Sequence, residues 1–183
     1  MPRFAHGRRR NGQAVLETTI VMLLLCVLFF LVFDYARLLN CRTVLDYAAM
    51  RCARARAVGF NDFMVLKTAR LGTISISGKC LTNFDDEPGG AEPSASMLQN
   101  RMGSYLQTAN YAETEGILDF ELWHKLNWAC DESSDSVEMR VSQKQPLFKI
   151  LSDGGEEDDD SASGYITLRG KAKIESHYPF YLK

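Results

Sequence analysis

Residues 8–33 read RRRNGQAVLETTIVMLLLCVLFFLVF, and this stretch decides what kind of protein the chain can be. Its last sixteen residues, 18–33, carry no charge. Residues 13–33 span 21 positions, about 31 Å as a helix, or one hydrocarbon thickness. A core helix needs one apolar stripe; apolar residues on every face point instead to a membrane-crossing helix. Arg8, Arg9 and Arg10 flank its N-terminal end. Such a basic flank holds that end in the cytoplasm and sends the rest of the chain across.

Charge is uneven around this segment. Residues 1–12 carry Arg3, Arg8, Arg9 and Arg10 and no acid, a charge of +4. Residues 13–57 carry +2 and residues 58–183 carry −8, within a net charge of −2. An acidic body argues against nucleic acid as a partner, since phosphate binding needs clustered Lys and Arg. The chain has 183 residues, of which 46% are hydrophobic, with a mean hydropathy of −0.17. That composition excludes a disordered chain, and that length suits one modest domain plus an appendage.

Three fates are open to such a start. A secretory signal needs small residues just before the cut, but Asp34 lies where one is required for cleavage after Ala36. A lipoprotein signal wants small residues before its Cys, whereas Leu24 and Leu25 precede Cys26, which sits mid-run. The third fate is a cut ahead of the apolar stretch. The basic leader ends in Gly12, so Gln13 becomes the first mature residue and Glu17 the fifth.

This arrangement resembles the processing site of type IV-like prepilins. With the long apolar helix and the following Asp34-Tyr35-Ala36-Arg37-Leu38-Leu39, it looks like the TadE-like minor pseudopilins of the Tad (Flp) pilus system. The resemblance covers residues 8–57. Flp-type prepilins usually place Tyr directly after the Glu, where this chain has Thr18. That departure, and the length, disfavour the major pilin. The resemblance implies a prepilin peptidase acting between Gly12 and Gln13. It also implies other pilins, minor pseudopilins and inner-membrane Tad platform proteins as partners, with no cofactor. The expected location is the bacterial inner membrane, single-pass, with the N-terminus cytoplasmic and the C-terminal domain periplasmic or extracellular. Glu17, a carboxylate on an apolar helix, is costly unless wetted or paired. The amine freed on Gln13 of a neighbouring subunit is the candidate partner, which would make Glu17 a register-setting residue. A headgroup-level, wetted acid is the alternative. An uncleaved signal anchor with a periplasmic binding domain competes with this reading. A type II secretion pseudopilin is a third, disfavoured by the absence of a Phe-Thr-Leu start.

Residues 34–57 contain no Gly or Pro and should continue the helix for about 36 Å beyond the membrane. Gly59 is a stop signal. Leu38, Cys41, Leu45, Ala48, Cys52 and Ala55 form a narrow stripe of mostly small residues. It suits either another helix or the protein's own domain.

The expected organisation is a cleaved leader at 1–12, a helix at 13–57 (transmembrane over about 14–33) and an extracytoplasmic head at 58–183. The head reads as α+β, an antiparallel sheet with short helices on one face. Helices are expected over 61–70 and 94–111, the latter capped by Ser94. Strands are expected over 73–77, 117–128, 137–151 and 165–177, with Pro146 marking an edge or bulge. Residues 83–93 read as a loop. No internal repeat appears.

Cys41 and Cys52, eleven residues apart on one helix, cannot bond to each other. Cys26 lies in the apolar run as a small hydrophobe. Cys80 and Cys130 remain in the head, where disulfides persist, and are expected to pair. A loop of about 50 residues closed in this way adds up to roughly 4 kcal/mol. The acidic run at 153–160 lacks the spacing of a calcium loop and reads as solvated. No metal site is expected: there is no CxxC, and His6, His124 and His177 are scattered. No nucleophile elbow, HExxH or P-loop appears, so no catalytic residue is expected. Trp123, Trp128, Tyr165, Tyr178, Phe180 and Tyr181 suit either core packing or a surface binding face.

Overall fold

The computed structural model describes residues 7–82, 94–109, 111–133, 135–146 and 165–175. Two compact units result, Met1–Leu39 and Asn40–Lys183. Helix α1, Gly7–Ala57, runs through both. It starts earlier than residue 13 because the arginines ahead of Gly12 are good helix formers. It ends as Gly59 requires, with φ +94°. The Gly59 N–H donates to the Arg56 carbonyl at 2.8 Å and the Phe60 N–H to the Ala55 carbonyl at 3.1 Å. These are the paired bonds of a Schellman motif, which only a residue tolerant of the left-handed region closes without strain.

The second unit is α+β. Helix α2 (Asp62–Gly72) is capped by the Asn61 side chain, which accepts from the Met64 N–H at 2.9 Å. Helix α3 (Ala95–Gln107) is capped by Ser94, as expected, and α4 (Tyr111–Ile117) follows. Strands β1 (Leu126–Glu132), β2 (Ser136–Pro146) and β3 (Tyr165–Glu175) form one antiparallel sheet in the order β1-β2-β3. Pro146 therefore ends the central strand, opposite Tyr165, rather than marking an edge. At the last residue of a strand its missing N–H costs the ladder little.

One expected strand is absent and another is shortened. Residues 73–77 form a 3₁₀ turn, Ile74–Ile76. The Thr73 hydroxyl donates to the carbonyls of Ala69 and Arg70, and the Ser77 hydroxyl to that of Thr73 at 2.7 Å. Local bonding of this kind offers the backbone an alternative to a ladder. Of residues 117–128, only those from Leu126 onward are strand. Before it, Leu118, Phe120 and Trp123 gather with Tyr105 in a small core of their own, spanning a second 3₁₀ turn, Glu121–Trp123. The loop at 83–93, the acidic run at 153–160 and the chain after residue 175 lie outside the described residues.

The main core resolves the small-residue stripe: it packs on the protein's own sheet. Cys41, Leu45, Ala49, Cys52 and Ala53 of α1 meet Val65 and Ala69 of α2 and Val137, Met139 and Val141 of β2. Contact is closest at Gly170. A Cβ there would overlap the Leu45 carbonyl and come within 2.6 Å of the Asp46 nitrogen. The Asp46 carboxylate accepts the Lys171 N–H at 3.1 Å beside it. Gly72 meets Ala48 almost as tightly, its hypothetical Cβ at 2.9 Å. Arg56 ties the end of α1 to Asp62, at 2.7 Å, and to Glu132.

Gly170→Ala should therefore destabilise the second unit by about 1–3 kcal/mol, the usual cost of forcing a methyl into a filled core. Urea unfolding of the full chain in detergent, followed by tryptophan emission, should show a lower midpoint; an unchanged one would contradict the close approach.

Candidate functional site

In the first unit Gly12 sits within α1 with no heavy atom within 4 Å of where a Cβ would stand. Gln13 and Glu17 are both exposed. Four residues apart on a helix, they lie on the same side, one turn from each other. Among the described residues Glu17 has no hydrogen-bonding or ionic partner. Its two neighbours behave differently. The hydroxyls of Thr18 and Thr19 donate to the Val15 carbonyl at 2.9 and 2.7 Å, so both polar groups are satisfied inside the helix, as an apolar medium demands. Residues 18–33 are exposed throughout, Phe29 to 65%. The helix has a mean hydropathy of 2.7 over its most apolar window and is long and apolar enough to cross a membrane. A continuous apolar surface of this size calls for lipid or other helices as its surroundings.

All five cysteines are free thiols, Cys26 in the first unit and the other four in the second. Cys80 and Cys130, expected to pair, are both free thiols, each packed on a different core. Cys80 pairs in a β-bridge with Phe120 and packs on the smaller core, its thiol donating to the Asp119 carbonyl at 3.5 Å. Cys130 stands opposite Met139 on β1, packs on the main core and contacts the Glu132 carboxylate at 3.8 Å. Cys41 and Cys52 are core residues, 4% and 0% exposed. Burial pushes the Cys52 thiol up to about 12, so it behaves as a hydrophobe rather than a nucleophile.

Composition gave no sign of the buried polar residues of the head. Lys67 on α2 reaches the C-terminal end of α3, where its ammonium donates to the carbonyls of Leu106, at 3.4 Å, and Thr108. A cation there satisfies carbonyls the helix leaves open. Burial nevertheless holds its pKa below the usual lysine range. Gln143 and Gln145 continue the buried face of β2 and serve the two 3₁₀ turns. Gln145 donates to the Ile76 carbonyl at 2.9 Å and Gln143 to that of Leu122 at 3.1 Å. An alternation that runs apolar and then amide is the one sequence signal that marks them.

The second unit also carries an open cleft of about 320 Å³ between α2 and β1. Both tryptophans of the chain line it. Arg70, 5% exposed, stacks 5.6 Å over the Trp123 ring and donates to the Tyr105 hydroxyl at 3.5 Å. His124 at its rim is held by Asp119 at 3.0 Å. Among the described residues no group of three or more His, Cys, Asp or Glu side chains is placed to hold a metal ion.

Residues 12–54 match a family model described as TadE-like protein. That segment of the chain is TadE-like, and the helix that contains it is long and apolar enough for a single pass through a membrane. No curated protein and no solved structure matches the chain.

Two measurements check the thiol chemistry. Alkylation under denaturing conditions without reductant should label all 5 cysteines; three labels would restore the Cys80–Cys130 bond. Alkaline pH should destabilise the protein, because an unfolded Cys52 ionises near 9.0 while the folded thiol holds its proton to about 12. Stability from this group is complete below 9.0 and is lost as pH rises toward 12. Cys52→Ala should flatten that decline in urea titrations, and an equally steep decline would exclude Cys52 as its source.

Proposed function

We propose that this chain, TadE-like over residues 12–54, is a minor pseudopilin that a prepilin peptidase cleaves after Gly12 and that takes part in assembling or initiating a Tad pilus. The observation that carries this reading is a coincidence of position. The family match begins at Gly12, immediately ahead of Gln13 and Glu17, where the exposed apolar helix starts. The basic residues before Gly12 keep the leader in the cytoplasm, which leaves the second unit outside it. Gly12 costs a helix about 1 kcal/mol relative to Ala, so α1 opens there more readily than at its neighbours. An open, Cβ-free peptide is what a protease at the membrane surface can grip.

Cleavage frees the amine of Gln13. Glu17 is then a carboxylate with no partner among the described residues of its own subunit, at the edge of an apolar medium. The amine of a neighbouring Gln13 neutralises it most directly, and such a pair works only at one axial offset between packed helices. The carboxylate thereby sets register, and the protein acts by assembly rather than catalysis.

The N-terminal mass of the chain recovered from membranes should begin at Gln13, and Gly12→Leu should leave the leader attached. Glu17→Gln should be cleaved normally but be lost from the sheared pilus fraction. A mature protein that keeps its arginines would overturn the processing step. Normal incorporation of the Glu17 variant would overturn the pairing.

A further inference from the structure

We infer that the outward face of α1 in the second unit, within residues 42–58, docks an acidic amphipathic helix of a different chain. The inference does not rest on cleavage after Gly12. Its test reads binding alone, so either can fail without the other.

The first support is the pattern. Cys41, Leu45, Ala49 and Cys52 face the main core. On the opposite side of the helix Thr43, Tyr47, Met50, Arg54 and Val58 follow at spacings of four, three, four and four. With about 3.6 residues per turn, that spacing gathers them into one row. Val58 continues the helix, its N–H donating to the Arg54 carbonyl at 3.1 Å. The row is about 22 Å long and narrow, as a seam between two helices is. It lies open to solvent, with Tyr47 exposed to 58%, Met50 to 44% and Val58 to 69%.

The second support is composition. Aromatic residues, Met and Arg are enriched at the centres of protein interfaces, and Lys, Glu and Asp are depleted. Residues 42–58 hold Arg42, Arg51, Arg54 and Arg56, no lysine and a single acid, Asp46. The Asp46 carboxylate accepts the Lys171 N–H. The Arg51 guanidinium lies 5.8 Å from the Tyr47 ring centroid. That contact orders two rotamer-rich side chains before a partner arrives, which lowers the cost of docking.

The third support is charge. Arg56 turns aside to Asp62 and Glu132, whereas Arg42, Arg51 and Arg54 are exposed along or beside the row. Copies anchored in one membrane by the same end of α1 pack parallel. A second copy on this face would then set each arginine beside its twin, and like charges so placed repel. Glutamates or aspartates on an unlike helix turn the same three charges into attraction. Tyr47 and Met50 thus supply burial, and the arginines select the partner.

The test uses the full chain in detergent micelles, with empty micelles as the blank. The probe is a dye-labelled helical peptide of three heptads, with Leu at a and d and Glu at e and g. Its glutamates repel one another and keep it from pairing with itself. Its anisotropy should rise saturably with added protein. Replacing its glutamates by lysines should weaken binding about tenfold. Arg51→Glu combined with Arg54→Glu should invert that preference, and Tyr47→Ala should weaken the acidic peptide about tenfold. These side chains are exposed, so the urea midpoint should hold. Should a variant lower it, the two peptides on the unaltered chain decide alone. No response to the acidic peptide, or equal affinity for both peptides, overturns the proposal. So does a dimer of the unaltered chain in sedimentation that Met50→Asp dissolves, which would give the face to a second copy.

Discussion

At Gly170 the backbone of β3 lies against the Leu45–Asp46 peptide of α1 with no side chain between them. Other features of the second unit agree with this approach. The helix face turned to the sheet is made of Cys41, Ala49, Cys52 and Ala53 around a single large residue, Leu45. Small side chains there let two backbones come close, and larger ones would hold them apart. Asp46 takes the backbone N–H that an edge strand would otherwise offer to another chain. One turn along α1, Gly72 of α2 meets Ala48 in the same economical way.

One helix thus serves two different surroundings. Its first part exposes large aliphatic and aromatic side chains on all sides. Its second part buries a stripe of small ones. Backbone hydrogen bonds inside the helix are the same in both, so only side-chain size and polarity change along it. That change falls near Leu39, where the two compact units divide.

The parts legible in the sequence are those governed by local rules. The apolar run, the Gly59 stop and the Ser94 cap depend on a few adjacent residues, and the structure has all of them. The strand of residues 165–175 shows as clean alternation. Failures arose where a non-local partner decides. Residues 73–77 alternate like a strand, yet Thr73 and Ser77 bond back to their own turn, and Gln145 takes the Ile76 carbonyl. Cys80 and Cys130 were matched by compartment, but their separation depends on which core each side chain joins, and spacing does not carry that. The position of β2 at the centre of the sheet was likewise invisible, since Pro146 at its end and Pro146 within it look alike in a string of letters. The roles proposed for Gly12, Gln13 and Glu17 rest on order along the chain rather than on contacts.

The way α1 is shared bears on how this protein can be divided. A fragment starting at Val58, where the long helix gives way to shorter elements, would leave behind Cys41, Leu45, Ala48, Ala49, Cys52 and Ala53 and open the sheet to water. A fragment starting at Asn40 keeps every one of those side chains and sheds the greasy surface. The domain therefore begins in the middle of a helix, and scissors guided by secondary structure would cut through its heart.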